Sequence, residues 1–142
     1  MSNSKINIKN LEEVKKALGS KSLKVCVIGI GRIGLPTALS FAKSGLQTIG
    51  VDINEELIEK INSGIFPLKD EPGYEDIFKQ VLNEKTFSVT SKIENAVPNS
   101  DLILLSLPTP MDEKNIPDYS ALISVAKNLS HILSPNSLVI VE

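Results

Sequence analysis

Val25-Cys26-Val27-Ile28-Gly29-Ile30-Gly31-Arg32-Ile33-Gly34, followed one strand–helix–strand unit later by Gly50-Val51-Asp52, decides how this chain folds. A β-branched run feeds three glycines, then an amphipathic stretch, then a second apolar run ending in an acid. That order is the dinucleotide-binding fingerprint. Gly29 allows the tight turn out of the first strand. Gly31 lets bare backbone approach a pyrophosphate, and Gly34 lets the following helix pack closely on the strand. The N–H groups of the helix start, including those at Arg32 and Ile33, offer an anion site. Asp52, at the tip of the second strand, is placed to accept hydrogen bonds from an adenosine ribose. Glycines alone are a weak signal. Bracketed by strand, helix, strand and a correctly spaced acid, they are a strong one.

The acid also selects the coenzyme. Asp52-Ile53-Asn54-Glu55-Glu56 holds three carboxylates and no cation. A 2′-phosphate, with nearly two negative charges, would be repelled there, so NAD is expected and NADP is not. FAD shares the ADP half and the same fingerprint.

Outward from the fingerprint, strands and helices alternate. Residues 11–18 predict a short amphipathic helix with Leu11, Val14, Ala17 and Leu18 on one side. Asn10 and Glu13 form a capping-box variant at its start, and Gly19 a stop at its end. Strands are expected at Leu23–Ile28, Gln47–Val51, Phe87–Thr90, Asp101–Ser106 and Ser137–Val141. Helices are expected at 33–44, stopped by Gly45, and at 55–62, capped by Asn54 and ended by Gly64. Two more are expected at 74–83 and from a cap at Asp118 to about Leu133. Leu122, Val125, Ala126, Leu129 and Ile132 are the core positions of the last helix. A helical turn is expected near residues 93–96.

Short loops between strands and helices imply parallel pairing with right-handed crossovers. The expected fold is therefore α/β, a Rossmann-type doubly wound parallel sheet of order 3-2-1-4-5, with the ligand crevice between strands one and four. That topology brings the loop after strand four, Leu107-Pro108-Thr109-Pro110, to the glycine loop as a second wall. The division expected is an N-terminal helical extension over 1–22 and a nucleotide-binding domain over 23–142. Because the chain stops on an apolar strand, the domain reads as incomplete and truncated after strand five, with an uncovered edge that would favour self-association.

Composition narrows the partners. The chain has 142 residues, 42% hydrophobic and 23% charged, which suits one soluble globular domain. A net charge of −2 gives neither a basic field for nucleic acid nor a polybasic membrane patch. No apolar run approaches the roughly 20 residues of a membrane span. The first residues lack the apolar core of a signal peptide, and a single cysteine excludes an internal disulfide, so a cytoplasmic protein is expected. Cys26 reads as a small buried hydrophobe. His131 has no partners in metal-ligand spacing, and no metal site is expected.

Three ordered motifs resemble the UDP-glucose/GDP-mannose dehydrogenase family over residues 23–142. The first is Val27-Ile28-Gly29-Ile30-Gly31-Arg32-Ile33-Gly34-Leu35-Pro36-Thr37-Ala38. The second is Gly50-Val51-Asp52-Ile53-Asn54 with Ile61-Asn62-Ser63-Gly64 and Glu71-Pro72-Gly73. The third is Leu107-Pro108-Thr109-Pro110 with Pro117-Asp118. Leu35-Pro36-Thr37-Ala38 and the closing Leu138-Val139-Ile140-Val141-Glu142 look most like the UDP-N-acetyl-D-mannosamine dehydrogenases. The resemblance implies an NAD-dependent, two-step oxidation of a nucleotide-sugar C6 hydroxyl to a carboxylate, with a thiohemiacetal stage on a cysteine. It also implies a UDP-sugar substrate and a homo-oligomer in the full-length form. The family's catalytic Cys, Lys and Asn lie downstream of its Glu-Ser-Thr segment, and Cys26 matches none of them. The resemblance thus assigns no catalytic residue here and implies that the chain alone is inactive.

Three positions depart from the pattern. Arg32 stands where many relatives carry Tyr; its guanidinium could pair with the pyrophosphate or stack on the coenzyme. Ser106 replaces a cysteine, and Leu57 stands where some relatives place a cation toward the ribose. Two other readings stay open. One is a 3-hydroxyacid-type NAD-dependent dehydrogenase, against which the Pro-Thr-Pro loop argues. The other is a non-catalytic NAD-binding module.

Overall fold

The computed structural model describes residues 5–142; residues 1–4 of the expected N-terminal extension lie outside it. Five parallel strands form one sheet in the order β3-β2-β1-β4-β5. They are β1 Val25–Ile28, β2 Thr48–Val51, β3 Phe87–Thr90, β4 Leu102–Leu105 and β5 Leu138–Val141. The register aligns Ile28 with both Val51 and Leu105, so β1, β2 and β4 end level and their following loops share one edge. All four β1 side chains are buried, as befits a central parallel strand covered on both faces.

Alternation along β1 divides the core. Val25 and Val27 join one cluster with Leu35, Ala38 and Leu39 of α2 (Gly34–Lys43), Ile61 of α3 (Glu55–Asn62), and Phe78 and Val81 of α4 (Tyr74–Asn83). Phe66, in the connection before α4, stacks on Phe78 with ring centroids 5.5 Å apart. Cys26 and Ile28 face the other way, toward Ile103, Leu105, Val97 and Leu129 of α5 (Ser120–Ile132). Two 3₁₀ turns, Ile93–Asn95 and Val97–Asn99, connect β3 to β4; only the first falls where a helical turn is expected.

The segment before β1 is tied down. α1 (Leu11–Gly19) is capped by Asn10, whose Oδ1 accepts from the N–H groups of Glu12 and Glu13, while the Glu13 carboxylate accepts from Asn7 N–H. Only Ala17 of its apolar stripe is buried, Val14 packs at the margin, and Leu11 and Leu18 stay exposed. The left-handed residue at its end is Lys21 (φ 60°), not Gly19: the chain runs two residues further before turning. Lys5 reaches across to donate to Ser137 Oγ at 2.7 Å, just before β5. Burial lowers the Lys5 ammonium from its ordinary pKa, opposed by the nearby Asp101 carboxylate.

Two further expectations are corrected. Asp118 lies one residue before the α5 N-cap, Tyr119, and accepts from Ser120 N–H at 2.9 Å. That hydrogen bond holds its carboxyl below the usual range. Ala126 is exposed, because the α5 stripe turned inward is Leu122, Val125, Leu129 and Ile132. The proline-rich stretch 107–117 is folded on itself: Met111 bridges Pro117, and Asp112 Oδ1 accepts from Lys114 and Ile116 N–H.

Candidate functional site

The level strand ends leave a cleft of about 760 Å³ along the carboxyl edge of the sheet. Its floor is the glycine loop, and each glycine is required for a different reason. Gly29 has φ 89°, a left-handed conformation, and a Cβ there would collide with the Ser106 carbonyl. A Cβ at Gly34 would collide with the Gly29 carbonyl oxygen, so the start of α2 can press on the β1 turn only without a side chain. At Gly31 nothing lies within 4 Å of the Cβ position, and its bare face opens to the cleft. Gly50 is a fourth tight position: a Cβ there would stand 2.9 Å from Ile30 Cγ2.

The electrostatics of the floor favour an anion. α2 has Ile33 at its N-cap with no side-chain cap and no acid in its first turn, as has α5 at its own start, whereas α1, α3 and α4 each carry two acids there. Among the described residues, the N–H groups of Gly31, Arg32, Ile33 and Gly34 find no protein acceptor. Donors left open at a positive helix end are where a diphosphate is stabilised. Arg32 lies at the rim with its Nη2 3.8 Å from Asp70 Oδ2, both side chains largely exposed.

Asp52 follows β2 directly. One carboxylate oxygen accepts from Ile30 N–H at 3.1 Å and the other from Asn54 N–H at 3.0 Å. The carboxylate therefore braces the glycine loop against the start of α3, where Asn54 caps through Leu57 N–H. A carboxylate offers about four lone-pair sites, so two remain for ribose hydroxyls. Leu57 itself turns toward the core.

Gly29, Gly31, Arg32, Ile33, Gly34, Asp52, Leu107 and Pro108 all line this one cleft. Thr109 does not; it is exposed one residue beyond the lining. Reading the sequence missed two further walls. Ser91-Lys92-Ile93-Glu94, after β3, flank Asp52, and the Ser124 and Asn128 face of α5 lines the opposite side with Glu142. The first could have been found from topology, since β3 neighbours β2 and its following loop must reach the same edge. The second carried a helical spacing that was read only for its apolar members. Thr37 Oγ1 donates to Glu142 Oε1 at 3.1 Å, linking α2 to the residue after β5.

The sequence model of the UDP-glucose/GDP-mannose dehydrogenase family, NAD binding domain, matches residues 23–142. The chain belongs to this family. NAD is accordingly its cofactor, and the cleft at the carboxyl edge is the place in a sheet of this topology where a dinucleotide lies. The UDP-N-acetyl-D-mannosamine dehydrogenase of Campylobacter jejuni is 37% identical over 120 residues, covering 84% of this chain. That of Pyrococcus horikoshii is 35% identical over the same share, and its solved structure superimposes with a TM-score of 0.77. A ternary complex of GDP-mannose dehydrogenase from Pseudomonas aeruginosa gives 0.76 at 27% identity, covering 82% of this chain and 27% of that one. The chain spans about 28% of the length of the two UDP-N-acetyl-D-mannosamine dehydrogenases.

Proposed function

We propose that this chain is the coenzyme-binding part of a cytoplasmic nucleotide-sugar 6-dehydrogenase of the UDP-N-acetylmannosamine or UDP-glucose type. In the complete enzyme it would serve the oxidation of a sugar C6 hydroxyl to a carboxylate by two NAD, within a homo-oligomer. The UDP-sugar and the catalytic Cys and Lys would be held by segments outside these 142 residues, so the chain alone binds coenzyme and turns nothing over. The observation that carries the reading is the glycine loop. Among the described residues its four N–H groups from Gly31 to Gly34 have no protein acceptor, its Gly31 face is open, and Asp52 is braced beside them.

On this reading the diphosphate lies over Gly31–Gly34, with Arg32 and the Ile33 N–H at its edge. Asp52 takes the adenosine ribose, and the nicotinamide half runs along Leu107 and Pro108, with Thr109 at the outer rim. When bound, NAD supplies the hydride acceptor. The chain's own residues hold and orient it: Gly34 fixes the helix start, and Asp52 sets the pitch of the loop. UDP-N-acetyl-D-mannosamine dehydrogenases among the most similar relatives support the substrate class. Calorimetric titration with NAD and NADP tests the coenzyme seat. NAD should bind and NADP far more weakly; equal affinities would overturn the role of Asp52. Gly31→Val should remove NAD binding while leaving the unfolding midpoint nearly unchanged, because its side chain would enter open cleft and not the core.

A further inference from the structure

The glycine loop carries a cation that already has a counter-ion of its own. Arg32 lines the cleft, and its guanidinium reaches Asp70 rather than any group of the fold beneath it. Asp70 is not there by chance of a loose loop. Its segment, 65–73, is pinned from below by buried Phe66, stacked on Phe78, and by half-buried Leu68, which also accepts from Glu71 N–H in a tight turn. The anchors leave Asp70 at the exposed tip beside the loop.

We propose that Asp70 is an internal competitor for the coenzyme diphosphate: it occupies Arg32 in the free protein and yields the guanidinium when the diphosphate arrives. This deepens the coenzyme reading and rests on the diphosphate lying over Gly31–Gly34. The chemistry favours the exchange. A guanidinium presents a rigid fork that suits phosphate oxygens in two parallel hydrogen bonds. Its contact with Asp70, at 3.8 Å between solvent-exposed side chains, is a loose one that water and salt screen. Asp70 thus acts as an affinity-setting acid beside the loop. It sets coenzyme affinity below what the loop alone would give and makes it depend on ionic strength.

The test is a double-mutant cycle by calorimetry with NAD on the full chain, at low salt. Asp70→Asn should tighten NAD binding by roughly two- to fivefold, the range of an exposed ion pair. Arg32→Gln should weaken it, and in that background Asp70→Asn should give no further gain. At high salt the gain from Asp70→Asn should shrink. An Asp70→Asn affinity equal to wild type overturns the proposal, as does a gain that persists without Arg32, which would mark a general charge effect. In both cases the coenzyme seat stands, because wild type still binds. A wild-type chain that fails to bind NAD at all overturns the seat, and the competition with it.

Discussion

The two faces of the sheet are built to different standards. On one, α2, α3 and α4 bury sixteen residues in a cluster that includes Phe66, Phe78 and Phe87. On the other, α5 and the 3₁₀ turns bury eight, and α5 contributes Leu129 alone to them. β5 is left with Leu138, Ile140 and Val141 exposed. The thin face is also the one whose helix lines the cleft, through Ser124, Val125 and Asn128. The difference teaches that the face of α2, α3 and α4 holds most of the buried core of this chain, while the face of α5 borders the cleft.

The largest expected effects test that division directly. Phe78→Ala removes a fully buried ring from the centre of the thick face and should cost about 3–5 kcal/mol of unfolding free energy. Leu129→Ala on the thin face should cost about 2 kcal/mol, at the low end for a buried leucine, because neighbouring side chains there can close in. Urea unfolding measures both. A Leu129→Ala cost equal to that of Phe78→Ala would mean that the faces are packed alike and that the cleft has another origin.

Asp52→Ala probes the edge where the faces meet. It should weaken NAD binding by about 1.5–3 kcal/mol, the worth of hydrogen bonds to a charged group. Unfolding should change less, because the Asn54 N–H is exposed to water and only the Ile30 N–H loses a part-buried partner. Should stability fall further than affinity, the carboxylate is chiefly a brace between the glycine loop and α3.

The sequence made the sheet legible because parallel strands joined by helices admit few topologies. Order 3-2-1-4-5 follows from one fingerprint and the crossover rule, and matches the structure strand for strand. α3 and α4 fall on the expected residues because Asn54 caps one, Gly64 (φ 76°) ends it, and Gly73 (φ 87°) turns into the other. The misses have physical causes as well. Gly19 looked like the stop of α1, but Lys21 takes the left-handed position, which lets Ser22 N–H bond back to the Ala17 carbonyl. Ala126 fits an apolar period, yet the thin face has no layer above it to bury it. At the site, the glycine loop and Asp52 carry local signatures. The β3 tip follows only from strand order, the polar side of α5 from the unread half of its helical spacing, and the pairing of Arg32 with Asp70 from tertiary approach that no local pattern encodes.

At neutral pH the smallest effect, one that grows only in alkali, asks whether the thin face is dry or merely sparse. Cys26 belongs to it, at the centre of β1, and burial pushes its thiol up to about 12 from an ordinary 9.0. The folded state therefore keeps a proton that the unfolded chain gives up. Stability from this group is fully present below about pH 9 and is lost as pH rises toward 12, by about 1.4 kcal/mol per unit. The gap in unfolding free energy between wild type and Cys26→Ala should shrink at that slope above pH 9. Below it, alkylation of Cys26 should proceed no faster than global unfolding. Rapid labelling at pH 8 under native conditions would show α5 lifting from the sheet on its own. The thin face would then be a mobile cover over the cleft, and the contrast between the two faces would be one of motion as much as of packing.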